Sequence, residues 1–175
     1  MSIAAALAGG AGPAVAAAFA KQPAGTVYQV ERWRDIKGEM LPLLKRHWRE
    51  VALNHEAVPL DIDHEGYDAL DEREALHILT VRRQGLLIGY HVAIVSGHLH
   101  YKSTLHGITD VYWIAPECRH GVTAMRMFQA VERELAKLGV RKLFTATKLH
   151  MDQGPLFERL GYKPVERLYA KLVGG

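Results

Sequence analysis

Six consecutive residues, Arg119-His120-Gly121-Val122-Thr123-Ala124, have the types and spacing best suited to chemistry. On one side lies Ile108 to Ala115, almost wholly apolar, rich in β-branched and aromatic residues, and stopped by Pro116. On the other side Ala124, Met127, Phe128, Val131, Leu135 and Leu138 recur at spacings of three and four, and Gly139 follows. That pattern predicts an amphipathic helix closed by a left-handed glycine. A turn running straight into a helix start leaves backbone N–H groups without internal partners, and the macrodipole adds positive charge there. Gly121, Thr123 and Ala124 are small enough for a phosphate to approach those amides closely. Read alone, the same six residues equally suit a strand–loop–helix connection that binds nothing.

Other residues of chemical interest lie around this turn. Asp110 interrupts the apolar strand, where an unpaired charge is costly. It is either a buried carboxylate serving as a general base or a rim residue accepting a hydrogen bond. Glu56 and Asp61 are solvated loop acids or selectors of a cationic amine. Cys118 adjoins the turn but has no visibly paired base, which suits a small loop residue better than a nucleophile. His98 and His100 alternate by two, so on a strand both project to one side. A third ligand from His91 or His106 would make a metal site conceivable. Histidine pairs on one edge are more often surface residues, and no metal is expected.

At the turn the sequence resembles the GNAT family of N-acyltransferases. Its pyrophosphate-binding pattern is Arg/Gln-x-x-Gly-x-Gly/Ala, between the fourth strand and the third helix. Arg119 stands at the first position and Ala124 at the last, while Val122 occupies the usual middle glycine and Gly121 lies one residue earlier. The resemblance runs from about Val27 to Val173. Phe157-Glu158-Arg159-Leu160-Gly161-Tyr162 looks like the family's closing helix and strand. Within the family the chain looks most like divergent GNAT-like proteins encoded by tailed bacteriophages.

The resemblance implies an α/β (α+β) fold with a mixed central sheet of about six strands, four helices, and splayed strands 4 and 5. It implies acetyl-CoA as co-substrate, its pantetheine arm lying between the splayed strands. The main chain of Tyr112, Trp113, Ile114 and Ala115 would pair with the arm, one N–H polarising the thioester carbonyl. Arg119, His120, Gly121, Val122, Thr123 and Ala124 would hold the pyrophosphate. For proton transfer it offers less, since Phe157 stands where many members have a tyrosine acid. His150 stands at the position of a family asparagine and could donate instead, and Tyr162 is a further candidate. Asp110 or a histidine would serve as base.

The elements that must position these residues follow from periodicity. Thr26 to Glu31 alternates and predicts a first strand. Asp35 can cap a helix to about Leu53 with Ile36, Met40, Leu44, Trp48 and Val51 inward, although Pro42 suggests a later start. A shorter helix is expected over His64 to Leu70, capped by Asp63 or Asp61. In the family these two helices wall the acceptor site. Leu76 to Arg83 and Leu86 to Val95 predict a hairpin through Gln84-Gly85. Ser96 to Gly107 reads as a polar connection, Lys142 to Thr147 as a fifth strand, and Lys163 to Val173 as a last strand. Between the last two, Asp152 or Gly154 opens a short helix with Pro155 in its first turn and Gly161 after it.

The whole chain fits one domain with an arm. Residues 1–25 are rich in alanine and glycine, and Met1 to Ala20 carries no charged side chain. That stretch is too weakly apolar for a membrane span and lacks the basic start of a signal peptide. It reads as a flexible tail or as an arm packing on a homo-oligomer or virion neighbour, with residues 26–175 forming the domain. A net charge of +3 is too small to argue for nucleic acid. One cysteine fits a reducing compartment such as a cytoplasm, the host's if the chain is viral, or a phage particle. Two functions compete: acetyl transfer to a primary amine, or an inactive GNAT fold reused as a structural phage protein.

Overall fold

A computed structural model describes residues 25–173; the N-terminal arm, Gly25 apart, lies outside them. Five strands form one sheet in sequential order, β1 (Thr26–Val30), β2 (Leu76–Arg83), β3 (Leu86–His98), β4 (Tyr101–Ile114) and β5 (Val140–Phe144). The first four pair antiparallel, and β5 joins β4 in parallel through α3 (Thr123–Lys137). Gln84 and Gly85 take positive φ values of 53° and 81°, as a tight hairpin between β2 and β3 requires.

Alternation along the strands sorts the core into two layers. On one face Tyr90 and Trp113 lie beneath α1 (Trp33–Val51), where His47 Nδ1 meets Tyr90 Oη at 2.9 Å. On the other face His91 and Tyr112 meet Phe128 of α3, with ring centroids 5.4 and 5.2 Å away. The inner stripe of α3 is Met127, Phe128, Ala130, Val131 and Leu135, all buried, and burying such side chains contributes about 1.5–3 kcal/mol each. Leu138 ends this helix 51% exposed and not inward, because Gly139 (φ 83°) turns the chain away. α2 (His64–Glu72) is capped by the Asp63 carboxylate, which accepts from Gly66 N at 2.8 Å. α4 (Gly154–Arg159) places Phe157 beside Tyr112 and Phe128.

Several boundaries differ from the expectation. α1 begins at Trp33 and passes through Pro42, which is exposed and faces Gly38 four residues back. With no side chain at Gly38 and the ring on the solvent side, the break in the bond ladder lies at the surface, where it is tolerated. Trp33, Leu43 and His47 join its buried face, while Trp48 and Val51 are only half-buried. Ser96 to Gly107 is no loose connection: β3 runs on to His98 and β4 starts at Tyr101, making a long hairpin with polar side chains outward. β5 is shorter and earlier than Lys142–Thr147. The expected sixth strand is absent, because Lys163 to Val173 is exposed and pairs with nothing among the described residues.

Candidate active site

Pairing between β4 and β5 ends at Ile108↔Phe144, whereas β4 stays on β3 as far as Ile114↔Gly89. From Thr109 onward one edge of β4 has therefore no neighbouring strand among the described residues. Ala115 N donates to Ile88 O at 2.8 Å, and main-chain groups alternate sides along an antiparallel strand. Ile114 and Tyr112 thus turn their amides toward the gap, while Trp113 and Ala115 turn theirs toward β3. Of the four residues expected to hold the arm, Tyr112 and Ile114 face the gap, and Trp113 and Ala115 do not. The Tyr112 hydroxyl crosses the gap and donates to Ala146 O at 3.1 Å.

At the mouth of the gap lies the anion turn. Cys118 N and Arg119 N are bonded back to Ala115 O and Pro116 O in the short helix Pro116–Cys118. Among the described residues the amides of His120, Gly121, Val122, Thr123 and Ala124 donate to no group of the chain. Gly121 takes φ 67°, and nothing lies within 4 Å of where its Cβ would stand. Thr123 is buried, its hydroxyl donating to His120 O at 3.1 Å, and Tyr28 donates to Thr123 O at 3.3 Å. These bonds fix the first turn of α3 and leave the amides exposed. The Val122 side chain is 44% exposed at the rim. Five unpartnered amides at the start of a fifteen-residue helix suit a diphosphate.

Arg119 is engaged within the protein. Its Nη1 and Nη2 fork onto the Glu50 carboxylate of α1, the latter at 2.7 Å, and its Nε donates to Ile114 O at 2.7 Å. Trp113 Nε1 donates to the same carboxylate at 2.7 Å. Burial works against ionised Glu50, but the bonds from Arg119 and Trp113 together outweigh it and hold the carboxyl below its usual range. Arg46, 3.1 Å from Glu117, lies 5.3 Å from the centre of the Trp113 ring.

Asp110 sits at a bulge, since Val92 opposes Val111 and Ala93 opposes Thr109, leaving no partner for residue 110. It is exposed, on the rim, and Tyr67 of α2 donates to its Oδ2 at 2.8 Å. Tyr67 is stacked on buried Trp33 at 4.5 Å. Burial raises the Tyr67 pKa, and the neighbouring carboxylate raises it further, so the phenol remains a donor. His150 is exposed on the short helix Leu149–Met151 beyond β5. Tyr162 packs on Phe157 at 5.7 Å, its hydroxyl buried near Glu132 of α3, and burial first and that carboxylate second raise its pKa. Asp110 and Tyr162 therefore serve different faces of the sheet.

The remaining candidates separate. Cys118 is fully buried, and burial pushes its thiol pKa up, the opposite of a nucleophile. His98, His100 and His106 gather with Tyr101 at the hairpin tip, ring centroids 5.1–5.9 Å apart, but no group able to hold a metal occurs among the described residues. Glu56 lies in an exposed loop with Asp61 beyond it. Tyr67 and Glu50 were not legible as site residues, since their partners lie 43 and 69 positions away.

No family model matches the sequence, and a comparison with curated proteins finds no match. Solved structures are. The ribosomal-protein-alanine N-acetyltransferase of Brucella melitensis biovar Abortus superposes with a TM-score of 0.68 at 18% identity, over 86% of this chain and 99% of that one. A predicted acetyltransferase of Clostridium acetobutylicum, solved with acetyl-CoA, gives 0.67 at 14% identity, over 85% and 97%. The aminoglycoside N-acetyltransferase AAC(6')-Iy with CoA gives 0.58 at 17% identity, over 87% and 97%. The chain thus has the GNAT fold of these acetyltransferases, with five strands in its sheet.

Proposed function

We propose that the protein is an N-acyltransferase that moves an acetyl group from acetyl-CoA to a primary amine. The observation that carries this reading is the end of β4–β5 pairing at Ile108↔Phe144, directly beside five unpartnered amides at the start of α3. Two solved relatives in fold were crystallised with acetyl-CoA or CoA. Acetyl-CoA supplies an activated thioester. The amides of His120 to Ala124 hold its pyrophosphate, and the Tyr112 and Ile114 amides, on the β4 edge that β5 leaves, hold its pantetheine arm. An edge amide aimed at the thioester oxygen stabilises charge as it develops there. Asp110, held through Oδ2 by Tyr67, keeps its other oxygen to take the amine's proton, directly or through water. His150 stands on the β5 side as the donor to the departing thiolate. The amine attacks directly and no residue becomes acylated, in keeping with a buried Cys118. The acceptor enters between α2 and β4, where Asp110 favours a cation. AAC(6')-Iy was solved with an acetylneamine bisubstrate analogue, which makes aminoglycosides one set of amines to try.

A second reading has specific support: Phe157 is buried where an acid would stand, and Arg119 is committed to Glu50. A GNAT fold without catalysis, assembled in a phage particle or homo-oligomer through residues 1–20, would carry both features without loss. Calorimetric titration with acetyl-CoA separates the two readings. Saturable binding, followed by thiol release with a panel of primary amines, supports the enzyme. An intact fold that binds nothing supports the structural protein.

A further inference from the structure

One carboxylate in this fold ties together three segments that meet at the mouth of the gap. Glu50, near the end of α1, accepts both outer nitrogens of Arg119 and the indole N–H of Trp113. Arg119 in turn donates its third nitrogen to Ile114 O, the last carbonyl of β4. The guanidinium therefore spans helix, strand and turn, with three of its five N–H groups, one on each nitrogen, committed within the protein. Trp113 is 3% exposed, and Arg46 and Arg119 lie 5.3 and 5.8 Å from its ring.

Resting on the cofactor reading above, we propose that Glu50 is a positioning residue for the diphosphate turn, acting through Arg119. Arg119 shapes the turn and does not itself clasp the phosphates. The alternative is a latch, in which Glu50 occupies Arg119 until a phosphate displaces it. Displacement would orphan a buried indole N–H and leave a partly desolvated carboxylate without its fork, which is costly on both counts. Bidentate Arg–carboxylate geometry fixes orientation as well as distance, which is what a brace needs. Held in this way, residue 119 starts the turn at a fixed angle, and the amides of 120–124 converge before any ligand arrives. That lowers the ordering cost of binding.

The test measures CoA affinity by calorimetry for the native chain, Glu50→Gln, Arg119→Gln and the double variant. Melting temperatures and 15N–1H spectra are recorded on each. The expected result is weakening of about tenfold in each single variant, with the double no weaker than either. The Gly121 and Ala124 amide signals should move in Glu50→Gln while signals of β2 stay in place. A lower melting temperature with the turn signals and CoA affinity unchanged would make Glu50 merely stabilising and overturn the proposal. Tighter binding by Glu50→Gln would establish the latch and overturn it too, leaving the cofactor reading intact. Additive losses in the double variant would show that Glu50 does not act through Arg119. Absence of CoA binding by the folded native chain would remove the cofactor reading and this inference together.

Discussion

Asp110 carries the proposed chemistry, and its surroundings define what a substitution should do. It is exposed at a bulge with Tyr67 donating to one oxygen, so its replacement costs little packing. Asp110→Asn should lower amine acetylation by about a hundredfold, the usual worth of a general base, with acetyl-CoA affinity unchanged. Steady-state rates beside calorimetry check this, and full activity in the variant would remove Asp110 from the mechanism. Tyr67→Phe should retain the Trp33 stack and lose only the hydroxyl, so its rate should fall less than that of Asp110→Asn.

At the scale of elements, the β3–β4 contact governs the site. Gly89 lies opposite Ile114, and an added Cβ there would come within 2.8 Å of Trp113 O and 2.9 Å of Ile114 Cγ1. Backbone cannot yield as a flexible side chain would, so Gly89→Ala should cost about 1–3 kcal/mol in denaturant unfolding. Because the displaced residue is Ile114, CoA affinity should fall with it; an unaltered midpoint would contradict this packing. On the opposite face Phe157 anchors α4 among Tyr112, Phe128 and Tyr162. Phe157→Ala should cost roughly 3–5 kcal/mol, a cavity effect measured the same way. The exposed segment 163–173 makes no such contact among the described residues, and ending the chain after Pro164 should move the melting temperature by no more than about 2 °C.

For the molecule as a whole, buried histidines couple stability to pH. Burial lowers the pKa of His47 to about 4, where Glu50 opposes the shift and Arg119 and Lys148 add to it. Burial lowers that of His91 to about 3, with His77 adding, and burial lowers His77 itself against the pull of Glu134. The unfolded chain, with histidines near 6.5, binds more protons than the folded one between these values. Stability is then fully present above about pH 6.5 and is lost as pH falls. His47 and His91 each withdraw on the order of 3 kcal/mol by pH 4. Calorimetric melting from pH 7 down to 4 should show this decline, and a flat profile would mean these rings are not buried neutral.

Much of the fold was legible locally. The apolar run before Pro116, the stripe of α3 as far as Leu135 and the glycines at 85, 139 and 161 are patterns of neighbouring residues, and the structure bears them out. Asp63 as a cap and Gln84-Gly85 as a hairpin belong to the same class, because their geometry is decided within four residues. The hairpin hidden in Ser96 to Gly107 was missed because most of its polar side chains, His106 apart, face solvent on both strands, which removes the apolar signal of a strand. Lys163 to Val173 shows the converse, a stretch expected as a last strand that has no partner strand among the described residues.

By itself the sequence determined the strand–turn–helix unit, its small-residue turn and the order of elements around it, since these depend on periodicity and local conformation. Only the tertiary structure decided where β5 leaves β4, that Asp110 belongs to Tyr67, and that Arg119 belongs to Glu50. Those pairings join residues far apart in the chain. They are selected by which side chains the packed layers bring within reach, and no local pattern encodes that distance.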